Sequence, residues 1–207
     1  MKTIIIGAGS TAKVVYEILV SNHEYNLVGF VGNNEDKVAI ENKKKVLPIP
    51  YLGDRSILSQ LKTHDIRGFI VAVGDNLMRE KIFYEAINSG LTPINAISHY
   101  AIIENTAKIN EGTIIKSGAI ISHSAEIGSN CLIDNGSIIS GHSVIHNNCN
   151  LGSGSIVGTG SFLSKNVTLG MRSIVPKDSI IGKNQYIEDN KISKTNLPDL
   201  YRAENIE

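Results

Sequence analysis

Tryptophan is absent, and the other aromatics amount to seven Tyr and four Phe. The apolar mass must therefore come from aliphatics, and Ile, with thirty-two residues, supplies it. Cysteine is as scarce. Cys131 and Cys149 cannot build a disulfide framework and form no CxxC pair, so a reduced compartment is expected. Charge of one sign is missing too. Twenty Lys and Arg offset twenty Asp and Glu, which argues against nucleic acid or an anionic membrane as the main partner. No stretch approaches the roughly 20 apolar residues of a membrane span. The run Ile4 to Ala8 is too short for a signal h-region and has no cleavage site after it. The chain reads as soluble and cytoplasmic. Its 207 residues, 42 % hydrophobic and 19 % charged, suffice for one large or two small packed domains, which excludes global disorder.

A six-residue period fills the second half. In steps of six from Ala101 to Ser179, every position is Ala, Ser, Thr or Cys, with Val167 the one exception. Two residues further on, from Ile103 to Ile181, every position is aliphatic. Residues two apart in a strand share a face, so a small and an aliphatic side chain point inward together. The remaining positions are rich in Gly, Asn, Ser and Lys, which is turn chemistry. A short strand and a turn every six residues make a β-solenoid. The pattern resembles the hexapeptide repeat of left-handed parallel β-helices, in which three units close one triangular coil. It predicts such a helix over residues 101–184 with no inserted loop, followed by a polar tail over 185–207.

The residue between the two inward ones points out, and every third unit shares a face. One face reads Ile102, Ile120, Ile138, Ile156, Ile174. The second reads Lys108, Glu126, Val144, Phe162, Ile180, and the third Ile114, Leu132, Asn150, Thr168. An exposed apolar ladder marks an interface, and the resemblance to hexapeptide β-helices, which usually pack as trimers through such faces, implies a homotrimer. The alternative is that the ladder packs on the chain's own N-terminal half or tail.

The first 97 residues alternate strands and helices, which implies a small Rossmann-like α/β sheet. Thr3–Ile6 leads into Gly7-Ala8-Gly9-Ser10-Thr11-Ala12 and an amphipathic helix to about Ser21, so a GxGxxA turn places a helix N-terminus where a pyrophosphate could sit. A second strand ends in Gly32-Asn33-Asn34 rather than in the acid that holds a nicotinamide ribose, which speaks against a dinucleotide. Glu35 to Lys45 is a charged run that reads as a solvated, mobile loop. Arg55 to Leu61 reads as helical and Gly68 to Val73 as a buried strand. Gly74-Asp75-Asn76 caps a helix over 77–88 that carries Arg79, and Pro93 to Ile97 is the last strand.

Three motifs carry a resemblance that covers about residues 1–182: Gly7-Ala8-Gly9-Ser10, Val73-Gly74-Asp75-Asn76 with Arg79, and Asn135-Gly136-Ser137-Ile138-Ile139-Ser140-Gly141-His142. The chain resembles the nucleotide-sugar N-acetyltransferases that make bacillosamine and related 4-amino-4,6-dideoxy sugars, and the broader sialic-acid O-acetyltransferase group. The resemblance implies that His142 is the general base toward a sugar amine, with acetyl-CoA as acyl donor along the groove between neighbouring β-helices. Gly152, Gly158, Gly160 and Gly170 would line that groove. Gly7, Gly9, Ser10 and Thr11 would line the nucleotide pocket, with Asp75, Asn76 and Arg79 nearby. His142 also falls on a corner beside the Ile face, and an imidazole titrates near neutrality, as a base must. Where the family has Asp or Glu after that His, this chain has Ser143; where it often has a second His, this chain has Asn150, which could orient a thioester carbonyl.

Three other readings stand beside this one. A non-catalytic nucleotide-sugar-binding trimer would explain the missing acid. An O-acetyltransferase would act on a hydroxyl. A zinc enzyme like the hexapeptide-fold carbonic anhydrases would use His123, His142 and His146, of which the first two lie on one edge a coil apart.

Overall fold

A computed structural model of the chain describes residues 1–21, 25–33, 36 and 47–193. The N-terminal half is a parallel five-stranded sheet in the order β3-β2-β1-β4-β5: β1 Lys2–Ile6, β2 Asn26–Gly32, β3 Tyr51–Asp54, β4 Gly68–Val71 and β5 Thr92–Pro93. Alternation along β1 sends Ile5 to one side and Ile4 and Ile6 to the other. The Ile5 side is covered by helix α1 (Ser10–Ser21) through Ala12, Val15, Ile18 and Leu19. The Ile4 side is covered by helix α2 (Asn76–Asn88) through Ile82, Phe83 and Ala86. Both faces are buried, which is why the central strands read as unbroken apolar runs.

The segment expected to be helical after β3 is a 3-10 run, Arg55–His64. Asp54 caps its start by accepting from Ser56 N, and Asp65, at φ 60°, ends it. The expected strand Pro93 to Ile97 is two strands. Thr92–Pro93 closes the first sheet, whereas β6 (Ala96–Ile97) pairs with Ile114–Ile115 and belongs to the second half.

That second half is a left-handed parallel β-helix. Two-residue strands, from Ile102–Ile103 to Tyr186–Ile187, each pair in parallel with the strand 18 residues on and build three stacks. It starts one unit earlier than the small-residue pattern suggests. Asn95 fills the small position there and its Oδ1 accepts from Thr113 N, so the unit is structurally present but disguised in sequence. The stack also continues past Asn184 through Tyr186–Ile187, and Ile192 bridges to Ile174. Part of the expected tail therefore completes the stack. The remainder of that tail, and the charged run from Glu35 to Lys45 apart from Asp36, lie outside the described residues.

The inward residues Ile121, Ile127, Ile133 and their successors form one buried core, and Cys131 and Cys149 lie inside it. At the corners every sixth residue from Gly112 to Asn190 has φ between 53° and 75°. Gly and Asn tolerate that left-handed conformation best, which accounts for their recurrence. One column of these corners is an asparagine ladder: Asn130 donates to Asn148, Asn148 to Asn166 and Asn166 to Asn184 at 2.7–3.0 Å.

The three outer faces differ. Ile114 and Leu132 of the third face are buried with α1, Ile94 and Ala96. The N-terminal half therefore docks on the third face, and the outward Ile ladder takes no part in that packing; Ile102 at its end is 59 % exposed. The second face carries a Lys108–Glu126 pair at 2.7 Å.

Candidate active site

A cavity of about 540 Å³ opens beyond the carboxyl ends of β1, β2 and β4. The strand order reverses between β1 and β4, and ligands of open α/β sheets bind at such a reversal. One wall is Gly7 to Thr11; the other includes Val73, Gly74, Met78 and Ile82; Asn33, Asp36 and Arg55 complete it. Gly7 is required by the fold: its φ is 118° and a Cβ there would stand 2.7 Å from Ala72 O. Gly9 is different. Nothing lies within 4 Å of a Cβ built on it, so its missing side chain leaves open space. Helix α1 begins at Ser10, and first-turn amides have no partner inside a helix. The Gly-rich loop thus turns amide donors toward an open cavity, which suits an anion.

Two charged residues of the cavity, Asp36 and Arg55, escaped the sequence reading. An acid does stand beyond β2, but at Asp36 rather than at the strand end. It is held there reciprocally, Asn33 N donating to Asp36 Oδ2 and Asp36 N to Asn33 Oδ1, at 2.8 and 2.9 Å. The Asn-x-x-Asp spacing was the available signal. Arg55, from the 3-10 run, bonds Glu85 at 2.8 Å, a pairing thirty residues apart that no local pattern announces.

Asp75, Asn76, Arg79 and Asn150 were expected to touch substrates, and the structure employs their side chains otherwise. Asp75 caps α2 by accepting from Met78 N at 2.7 Å. Asn76 Nδ2 donates to Asn166 O and Thr168 Oγ1 on the β-helix. Arg79 is wholly buried, and its guanidinium donates to the carbonyls of Asn130, Val73, Gly74 and Asn148. Burial lowers it to about 10, so it remains a cation at neutral pH. Asn150 Nδ2 donates to Gly74 O at 2.7 Å. Asn150 lies on the third face, whereas His142 lies on the corner between the first and second, so one chain does not bring the two together. Asn76, Arg79 and Asn150 thus fasten the cavity wall to the β-helix, while Asp75 caps α2 beside it.

His142 is exposed at its corner with φ 58°. Its positive φ follows the six-residue rule and is not in itself a functional signal. Its N–H donates to His123 O at 3.2 Å, and the two rings meet edge to face, centroids 5.0 Å apart and planes at 82°. Gly141 makes room for this pair, since a Cβ there would stand 2.8 Å from His123 Nε2. Ser143 is buried and donates to Gly158 O, so its hydroxyl points away from the imidazole. His146 lies toward Phe162 instead, with centroids 6.5 Å apart, and no group of three His, Cys, Asp or Glu converges on a common point among the described residues. Gly152, Gly158, Gly160 and Gly170 flank both edges of the Ile face. At Gly152 a Cβ would meet Leu169 O of the next coil at 2.8 Å, so coil stacking already demands glycine there, whereas Gly160, with φ 68°, is one of the left-handed corners that other residues also occupy.

Comparison with known proteins bears on both halves. Residues 2–86 match the model described as PglD N-terminal domain, and residues 124–159 match bacterial transferase hexapeptide (six repeats). By sequence, no curated protein matches the chain. Among solved structures, a histidine-to-alanine mutant of GDP-perosamine N-acetyltransferase from Caulobacter crescentus, in complex with CoA and GDP-perosamine, is 27 % identical. It aligns over 96 % of this chain and 91 % of its own with a TM-score of 0.86. PerB from Caulobacter crescentus, in complex with the same two molecules, is 26 % identical over the same shares, with a TM-score of 0.72. The acetyltransferase domain of PglB from Neisseria gonorrhoeae, with acetyl coenzyme A, is 19 % identical over 95 % of this chain and 98 % of that domain, TM-score 0.66, and shares the fold. No helix among the described residues is long and apolar enough to cross a membrane.

Proposed function

With residues 2–86 matching the PglD N-terminal domain and 124–159 the bacterial transferase hexapeptide, we propose that this chain is an acetyl-CoA-dependent N-acetyltransferase. Its acceptor is the amino group of a nucleotide-linked amino-deoxy sugar, and it works as a homotrimer. The observation that carries this reading is the amide-rimmed cavity at the sheet's reversal point, fastened through Gly74 to a hexapeptide β-helix. The 27 % identical GDP-perosamine N-acetyltransferase, similar over nearly the whole chain, supports the same chemistry.

The nucleotide lies in the cavity, with its diphosphate on the first turn of α1 beside Gly7, Gly9, Ser10 and Thr11. The sugar extends to His142 in a cleft between subunits. Acetyl-CoA lies between neighbouring β-helices, along the edges that carry Gly152, Gly158, Gly160 and Gly170. As the amine nitrogen bonds to the thioester carbonyl carbon, it must lose a proton, and the His142 imidazole takes it. The carbon–sulfur bond of the tetrahedral adduct then breaks, and the CoA sulfur leaves with that proton as a thiol. Transfer is direct, because Cys131 and Cys149 are buried in the β-helix core and neither can serve as a nucleophile.

One observation favours a second reading. The inward hydroxyl of Ser143 leaves His142 without an acid beside it in the chain, as a non-catalytic nucleotide-sugar-binding trimer would allow. The deciding experiment is thiol release from acetyl-CoA with UDP-, dTDP- and GDP-linked 4-amino sugars, with the product mass measured. Release with a gain of one acetyl group on one sugar is the expected result. Tight binding of a nucleotide sugar with no thiol release would establish the second reading.

A further inference from the structure

Arg79 presents an imbalance of charge. Its guanidinium is fully buried, and among the described residues no carboxylate lies within ion-pair distance. The nearest acids are otherwise engaged: Asp75 caps α2, and Glu80 pairs with Lys165. An unpaired buried cation is costly, and a fold retains one only where other groups meet its field. Here four carbonyl oxygens do so, at 3.0 to 3.4 Å: Asn130 and Asn148 from the β-helix, Val73 and Gly74 from the cavity wall.

The last two matter for the cavity. No peptide bond is cis, so each N–H points opposite to the carbonyl of its own peptide plane. With the Val73 and Gly74 carbonyls turned onto Arg79, the N–H groups of Gly74 and Asp75 point away from it. Val73 and Gly74 line the cavity while Arg79 does not, so that is the cavity side. Neither N–H donates to an acceptor among the described residues. Facing them across the cavity is the start of α1; Thr11 Oγ1 is 3.8 Å from a Cβ built at Gly74. The cavity therefore has amide donors on two walls and a full positive charge one peptide layer behind one of them.

We infer that Arg79 is a positioning residue for the diphosphate of the substrate. It is a buried countercharge that acts through the polarised Val73–Gly74 and Gly74–Asp75 peptides and never touches the ligand. This rests on the reading that the cavity holds a nucleotide. It differs from a mere staple between the two halves in one respect: a staple supports every ligand of the cavity alike, whereas a countercharge favours the anionic part alone.

The test is calorimetric binding of UDP, GDP and dTDP, and of the corresponding nucleosides, to the full chain and to Arg79→Met and Arg79→Lys. For the nucleotide that binds, Arg79→Met is expected to lower the ratio of diphosphate to nucleoside affinity by about tenfold or more, and Arg79→Lys to retain most of it. An equal loss for diphosphate and nucleoside, or no loss, overturns the inference and leaves the nucleotide reading standing. Should no diphosphate bind the unaltered protein, both fail together. Hydrogen exchange on the unaltered protein keeps the inference falsifiable if the variants do not fold. A peptide covering residues 72–78 should gain protection with the nucleoside diphosphate and not with the nucleoside. Absence of that gain overturns the inference.

Discussion

His142 occupies a corner that demands positive φ, so its replacement confounds two effects unless the substitute is chosen for the backbone. Asn tolerates the left-handed region and recurs at equivalent corners, whereas Ala there costs roughly 1 kcal/mol. His142→Asn should therefore keep the melting temperature and still lose on the order of 10²-fold or more in kcat, the usual worth of a general base. Retention of turnover in that variant would remove His142 from the chemistry. The two loop glycines should part in the opposite way. Gly7→Ala forces a methyl against Ala72 O at φ 118° and should cost about 1–3 kcal/mol, read as a drop of several degrees in melting temperature. Gly9→Ala meets nothing within 4 Å, so stability should hold while nucleotide affinity falls. At this scale the sequence shows residue types and not their orientation. The glycine loop was legible because its chemistry is local. The Asp75 cap was legible for the same reason. Asn76 and Arg79 were equally visible, but what they touch is set by coils some fifty to ninety residues away, which no local pattern encodes.

Among the elements, the β-helix was legible almost unit by unit, because every inward residue meets the same constraint 18 residues later. The units that escaped notice are the terminal ones, where Asn95 and the Tyr186–Ile187 strand depart from the small-residue rule while keeping the inward aliphatic. The 3-10 run was legible only as helical, since period alone does not separate three from 3.6 residues per turn over ten positions. The asparagine ladder is the element most open to test. Asn148 bonds Asn130, Asn166 and the Asn76 carbonyl from within a buried corner. Asn148→Ala strands those partners and strains the backbone, so a loss of about 2–4 kcal/mol is expected in chemical denaturation. Asn148→Gly relieves the strain alone and should recover roughly 1 kcal/mol of it. Equal stability of both variants and the parent would show that the ladder contributes nothing.

At the scale of the whole molecule, the question is which face of a triangular prism meets which neighbour. The faces themselves were readable from sequence, but the docking was not, because the third face mixes Ile114 and Leu132 with Asn150 and Thr168 and looks no more adhesive than the second. The structure resolves this through α1, which buries Ile114 and Leu132 and leaves the Ile ladder outward. Four of the five ladder residues, Ile120 to Ile174, remain half-buried only through their own stack, an apolar strip that a lone chain would expose to water. In the proposed trimer that strip is the contact, and His142 stands on its edge. Ile138→Lys places a charge at its middle without altering any inward side chain. The chain should then fold as before, with unchanged circular dichroism, and sediment as a monomer of 22.4 kDa rather than as three copies. Because the proposed transfer takes place in a cleft between subunits, acetyl transfer should vanish with the trimer while nucleotide binding in the cavity persists. A variant that stays trimeric would move the interface to another face, and a monomer with full activity would place the whole site within one chain.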